Sequence, residues 1–154
     1  MNGDFLSTNE LRKHVRREYK KLRKKAILSL VYRPLSTKFE ICSSNSLDGE
    51  YCYSDEKGYY YCALERGSYN EKIVTEDLFE VTYLAIEADI SEMASLYELI
   101  HRKRGKDPRR ILFAKELELL NEIGEKYCER HRKRIEKYLK MAPYEDEEII
   151  GERK

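Results

Sequence analysis

The chain has 154 residues, enough to bury a core as a single domain, with 41% apolar and 38% charged residues pointing to a folded protein with a heavily solvated surface. No apolar run approaches the length of a membrane span, and the polar N-terminus does not read as a signal peptide, so a membrane partner is not expected. The net charge of +1 hides three blocks: +7 over residues 1–40, −10 over 41–100 and +4 over 101–154.

Such blocks either attract each other within the fold or form separate faces for partners, and internal attraction is the simpler expectation. Cys42, Cys52, Cys62 and Cys128 fit no CxxC pattern, and His14, His101 and His131 are too scattered to complete a metal site. No metal and no cofactor is expected, and the thiols read as buried and reduced in a cytosolic protein.

In chain order, Ser7-Thr8-Asn9-Glu10 resembles a capping box and opens a basic helix to about Val31, within a segment 1–33. Leu11, Val15, Tyr19, Leu22, Ala26 and Leu30 form its apolar stripe, and lysines and arginines fill most other positions. The helix either lies on an anionic partner or docks by its stripe while the lysine stems cover apolar neighbours; the second is the expected arrangement. After Pro34 the pattern alternates, and residues 37–74 read as an antiparallel sheet. Lys38 to Cys42 reads as a half-buried strand, Glu50 to Ser54 and Tyr59 to Glu65 as a hairpin, and Tyr69 to Val74 as a further short strand after the Arg66-Gly67-Ser68 turn.

Thr75 to Arg104 then reads as the core helix, with Thr75 as N-cap and Glu76 and Asp77 at the positive end of the helix dipole. Its apolar positions cover more than one stripe, which predicts neighbours on several sides, the hairpin among them. A bend is expected near Asp89 to Ser91, where a second helix start is legible. Gly105-Lys106-Asp107-Pro108 stops that helix and starts the next, Gly124 separates the last two helices, and Pro143 leads into an acidic tail, 143–154. The helical part is thus 75–142, and the fold class is α+β: an N-terminal helix, a small antiparallel meander, a long core helix and a C-terminal helical pair.

No Walker loop, nucleophile elbow, dinucleotide glycine pattern or HExxH helix is present, so no catalytic residue is assigned and the chain is not expected to be an enzyme. Cys128 and His131 stand one helical turn apart, a spacing equally ordinary on an amphipathic helix. Six of the 13 tyrosines fall between Tyr51 and Tyr69 in the acidic block. Tyr51, Tyr53, Tyr59, Tyr60 and Tyr61, with Asp48, Glu50, Asp55 and Glu56, are the candidate partner-binding surface, because tyrosine offers large contact area at low entropic cost. The alternative is that these tyrosines pack on the helices. Asp107 is expected to cap the following helix while Arg109 or Arg110 reaches Glu98 or Glu65. At least one of Arg66, Arg109 and Arg110 is expected in a partly buried ion pair with Glu65, Glu98 or Asp107; the alternative is that the arginines grip phosphate or an acidic partner.

Taken together, Glu65-Arg66-Gly67, Thr75 with Asp77 and Leu78, Tyr83, Met93-Ala94-x-x-Tyr97-Glu98-Leu99, Asp107-x-Arg109-Arg110-x-x-Phe113, Leu119-Leu120 and Pro143-Tyr144-x-Asp146 carry a resemblance. Over about residues 48–146 the chain resembles the sixty-third named immunity family of bacterial polymorphic toxin systems. One departure is Gly124-Glu125-Lys126-Tyr127, where the resemblance calls for a Ser-Pro start to the last helix. The resemblance implies a cytoplasmic, non-enzymatic inhibitor that binds a cognate toxin domain and occludes its active site. The acidic, tyrosine-rich sheet is the face expected to meet that toxin, since toxins that cut nucleic acid have basic clefts. The rival is a nucleic-acid-binding module using Arg12 to Lys25 and Arg130 to Arg134. Nucleic acid is not the favoured partner, and the oligomeric state is open.

Overall fold

The structure, a computed structural model, describes residues 5–22, 28 and 30–147. These fall into two compact units: one holds the chain up to Lys21 together with Arg33–Asp89, the other Leu22–Tyr32 and the chain from Ile90 onward.

In the first unit, Ser7 starts α1 (Thr8–Tyr19) by the expected reciprocal cap. Its hydroxyl accepts the Glu10 N–H at 3.2 Å, and the Glu10 carboxylate accepts the Ser7 N–H at 2.8 Å. A single 3₁₀ turn, Lys20–Leu22, follows. The expected continuation toward Val31 lies partly outside the described residues. Leu30 has φ 59°, a left-handed conformation that an α-helix does not pass through, and it is 87% exposed rather than part of the stripe. Leu11, Val15, Tyr19 and Leu22 are buried as the stripe requires.

Three antiparallel strands follow in the order β1 (Gly49–Asp55), β2 (Gly58–Glu65), β3 (Ser68–Thr75). Two two-residue turns join them. At the first, Asp55 accepts the Lys57 N–H at 2.8 Å, and Gly58 at φ 146° leaves no room for a side chain, since a Cβ would sit 2.8 Å from the Thr75 carbonyl oxygen. At the second, Arg66 (φ 51°) and Gly67 (φ 76°) are both left-handed, the geometry whose twist suits a tight hairpin. Asp48 secures that turn by accepting the Arg66 N–H at 2.8 Å. The expected strand at 38–42 is reduced to one parallel bridge. Lys38 donates to the Glu50 carbonyl at 2.9 Å and accepts from the Cys52 N–H at 2.8 Å, so the sheet begins at Gly49 rather than at residue 37. Beyond it Ile41 is 75% exposed while Cys42 is buried.

Helix α2 (Leu78–His101) is shorter at its start than expected. Asp77, not Thr75, is its cap, accepting the Phe79 N–H at 2.9 Å, while the Thr75 hydroxyl ends β3 by accepting the Asp77 N–H at 3.1 Å. Val81 to Ile86 are six consecutive buried residues, and burial, aided by the charges of Glu50, Glu71 and Glu87, pushes the Tyr61 phenol up. The signal near Asp89 to Ser91 does not end the helix. Asp89 is instead enclosed, accepting from the Ser36 N–H at 2.8 Å, the Ser36 hydroxyl at 2.9 Å and Arg33 Nε at 3.0 Å.

The second unit contains the C-terminal part of α2, α3 (Arg109–Ile123) and α4 (Glu125–Met141). Ile90, Met93, Ala94, Leu119, Leu120, Ile123, Tyr127, Cys128 and Ile135 are buried in it. Gly124 alone separates α3 from α4. Its φ of 171° is ordinary extended backbone, and the carbonyl it presents accepts from Tyr127 and Cys128, so α4 starts without a Ser-Pro pair.

Candidate functional site

Cross-strand register decides which tyrosines share a face. Tyr53 lies opposite Tyr60, Tyr60 opposite Val74, and Tyr51 opposite Cys62, which faces Lys72 on the other side. This face has a buried end, where Cys42, Tyr51, Cys62 and Leu64 pack together with Tyr53 against them. Its open end carries the rings of Tyr53 and Tyr60, stacked with centroids 4.7 Å apart and planes within 3°, beside Val74, which is 54% exposed. Tyr69 on β3 is 41% exposed.

Three of the five expected contact tyrosines are therefore interior. Tyr51 is 1% exposed, its hydroxyl donating to the Leu47 carbonyl at 2.5 Å. Tyr59 and Tyr61, at 3% and 5%, point to the opposite face by the two-residue alternation of a strand. There Tyr59 accepts the Leu6 N–H at 2.9 Å and meets the Phe5 ring edge-on, and Ser54 next to it bonds both Leu6 and Thr8. Alternation had announced that some rings must face in; it could not say which.

The acidic residues also divide. Glu56 is exposed, Glu50 is half-buried, and Asp48 is engaged with the Arg66 turn. Asp55 accepts from the Lys57 N–H and from the Tyr60 hydroxyl, and these bonds hold its carboxyl below the usual range. The same bond to Asp55 pushes the Tyr60 phenol up, and burial does so for Tyr53, so both rings present neutral hydroxyls at physiological pH. Burial, aided by Cys42, pushes the Cys62 thiol up to about 11, and Cys52 is raised further. All four cysteines are free and buried, and none of this favours a reactive thiolate.

The charged residues of the sequence pattern form a latch in the helical unit. Asp107, 6% exposed, accepts the Arg109 N–H at 2.9 Å, the Arg109 guanidinium at 2.6 Å and the Glu145 N–H at 2.8 Å. Arg109 also donates to the carbonyls of Ala142 and Pro143, each at 2.7 Å. Asp146 returns the grip by accepting the Asp107 N–H at 2.8 Å and Arg110 at 2.9 and 3.0 Å. Arg110 lies 4.2 Å above the Tyr144 ring, and Phe113 contacts Tyr144 and Tyr138. One partly buried arginine–carboxylate pair of the expected kind is present, Arg109 with Asp107. Glu98 and Glu65 are not the partners of Arg109 or Arg110: Glu98 holds Arg102 at 2.8 and 3.0 Å, and Glu65 accepts from Asn70. Arg66 uses its backbone, with Gly67, to make the turn. Tyr83 is fully buried, and the Tyr97 ring carries Lys115 Nζ 4.2 Å from its centroid.

A further buried cluster had no single-sequence signal. Glu116 accepts the Ser91 hydroxyl at 3.1 Å and stands 2.7 Å from His131 Nε2, with both Glu116 and His131 under 5% exposed. Serine and histidine both meet the carboxylate rather than each other, which is not the order of a nucleophilic triad. Cys128 is approached by Arg132 at 3.6 Å rather than by an imidazole. Two open clefts of about 230 and 300 Å³ flank the loop from Arg102 to Pro108, and both are lined by Lys103, Lys106, Asp107 and Pro108. Among the described residues no group of three His, Cys, Asp or Glu side chains is placed to share a metal ion. Nor is any helix long and apolar enough to cross a membrane.

These features define a small α+β protein in which the polar clusters described above hold turns, caps and a C-terminal segment, and in which one end of a three-stranded sheet carries a partly exposed aromatic pair. The family model described as Immunity protein 63 matches residues 55–137, more than half of the chain, and the chain belongs to that family. The match is narrower than the 48–146 expected, leaving Tyr53 just before it and Pro143 and Asp146 after it. No curated protein and no solved structure matches the chain.

Proposed function

We propose that this protein binds and neutralises a cognate bacterial toxin domain by occluding its active site, in the cytoplasm and without turnover of its own. Membership of an immunity family implies a toxin partner in general. The observation that carries the surface assignment is the stacked Tyr53–Tyr60 pair beside exposed Val74, a preformed aromatic and apolar patch flanked by Asp55 and Glu56. Rigid aromatic anchors slow dissociation, and flanking carboxylates speed encounter with a basic cleft. Occlusion then requires only that binding outlast exposure.

The test pairs the protein with the toxin domain encoded beside it and compares wild type with Tyr53→Ala and Tyr60→Ala, in affinity and in rescue of growth. Folded variants that bind and protect like wild type would remove the sheet face from consideration.

A second reading has one specific observation behind it. Lys13, Arg16, Arg17 and Lys20 follow each other at helical spacing along α1 and are exposed, while the helix buries its apolar stripe. A buried stripe does not insert into a membrane interface, so phosphate backbone is the anion this row suits best. Binding to a 20-base-pair duplex that weakens steeply with salt, and is lost on reversing these four charges, would support it; absence of binding at low salt would end it.

A further inference from the structure

The two outer edges of the sheet differ. That of β1 is already engaged, since Lys38 both donates to and accepts from it. That of β3 is open: the strand order is β1-β2-β3, and among the described residues nothing pairs with the far side of Ser68–Thr75. Five consecutive residues, Ser68 to Lys72, are exposed, as is Val74. An open edge presents a row of unpaired backbone donors and acceptors, and proteins usually blunt it with proline, a bulge or a covering element. Here there is no proline; Asn70 is an extra residue in β3 opposite the step from Ala63 to Leu64, and Glu71 and Lys72 are charged, so the stretch left in regular register with β2 is Glu71 to Thr75.

We propose that the toxin adds a strand to this sheet: an extended, basic segment of the toxin domain pairs with the outer edge of β3. The inference rests on the reading that the sheet is the toxin-binding face. Charge selects the occupant. Exposed Glu65, Glu71, Glu76 and Asp77 outnumber Arg66 and Lys72 along and around the strand, so a lysine- or arginine-bearing strand is favoured over an acidic one. Continuity selects the edge: Val74 lies directly opposite Tyr60, whose ring stacks on Tyr53, so alternate side chains of an added strand extend the same aromatic patch. Backbone pairing would supply affinity, and the patch would supply selectivity.

The experiment is hydrogen exchange on the full chain, alone and in complex with the toxin domain encoded beside it. The expected result is at least tenfold slower exchange of β3 amides in the complex, with no such change in the Lys103–Lys106 loop. A complex that loses affinity on Tyr60→Ala while β3 amides exchange as in the free protein overturns strand addition but leaves the sheet-face reading standing. Failure to form any complex overturns both. Concentration-dependent protection of β3 in the protein alone, with a dimer in sedimentation, overturns the proposal in favour of a second copy of this chain at the edge.

Discussion

Glu116 offers the most direct measure of how far buried polar groups hold the helical unit. Its carboxylate is the shared partner of the Ser91 hydroxyl and His131 Nε2, at 3.1 and 2.7 Å, with Glu116 and His131 buried and Ser91 partly so. Glu116→Leu removes the carboxylate from both the Ser91 hydroxyl and His131 Nε2. Losing a buried polar partner costs about 1–3 kcal/mol for each group left short, so about 2–4 kcal/mol is expected for the two together. Glu116→Gln keeps the shape and one acceptor and should cost about 1 kcal/mol. The double variant Glu116→Leu, His131→Leu removes both ends of the pair and should be clearly more stable than the sum of its single changes, because apolar replacement of a whole buried pair is often near neutral. Urea unfolding followed by circular dichroism at 222 nm reads the helices, and tyrosine fluorescence reads the sheet, which has six of the 13 tyrosines at or between positions 51 and 69. Coincident transitions would license a single free energy. For a chain of this size the Leu variant should melt roughly 10 °C lower. A loss below about 1 kcal/mol for Glu116→Leu, or strictly additive single and double variants, would refute the assigned coupling.

At the proposed interface, Tyr53→Ala and Tyr60→Ala should each raise the dissociation constant for the toxin roughly 30-fold, the effect of about 2 kcal/mol at an aromatic anchor, as read by calorimetry. The latch should be acid-labile. Arg109 and the Glu145 N–H hold the Asp107 carboxyl well below its ordinary value, and Arg110 does the same to Asp146. Their stabilisation is therefore complete above the unfolded carboxyl pKa near 4 and is lost as pH falls below it toward the depressed folded values. Limited proteolysis at residues 142–147 should accelerate below pH 4 and not between pH 6 and 8, and Arg109→Gln should be cleaved at neutral pH. Gly58→Ala should destabilise the sheet by about 1–3 kcal/mol, because it combines a left-handed backbone with a Cβ 2.8 Å from the Thr75 carbonyl oxygen; urea unfolding checks it.

Much of the architecture was legible because local chemistry and tertiary structure agree. Ser7 and Glu10 cap a helix wherever that tetrapeptide starts one, and Arg66-Gly67 turns a hairpin because the next residues can pair back. The misreadings fall where local pattern needs a partner it cannot name. Lys38 to Cys42 alternate like a strand, yet only Lys38 finds a backbone to pair with. Thr75 and Asp77 are both good caps, and β3 running to Thr75 leaves the helix to Asp77. The tyrosines were the largest ambiguity: period two assigns Tyr59 and Tyr61 to one face and Tyr53 and Tyr60 to the other, but which face is covered depends on Phe5, Leu6 and Thr8, some fifty residues earlier. Asp89 with Arg33, and Glu116 with His131, are long-range pairs between residue types too common to single out from one sequence.

The division of labour among the polar residues bears on how selectivity is encoded. Asp107, Arg109, Arg110 and Asp146 engage one another and the backbone of residues 142–145, while the Arg66-Gly67 turn is held through its backbone by Asp48. We expect this part of the pattern to hold the fold rather than to select the toxin. The proposed contact surface is instead Tyr53, Tyr60, Val74 and the outer edge of β3. The expected consequence is a separation of effects. Replacing Tyr53, Tyr60 and Val74 together by the residues of a relative that neutralises a different toxin should change which toxin is bound while leaving the urea midpoint within about 1 M. Replacing Arg109 or Arg110 should lower the midpoint and weaken every toxin complex in proportion to the protein that remains folded. If instead a folded Arg110→Ala variant keeps its midpoint and loses its toxin, the latch faces the partner and the sheet does not.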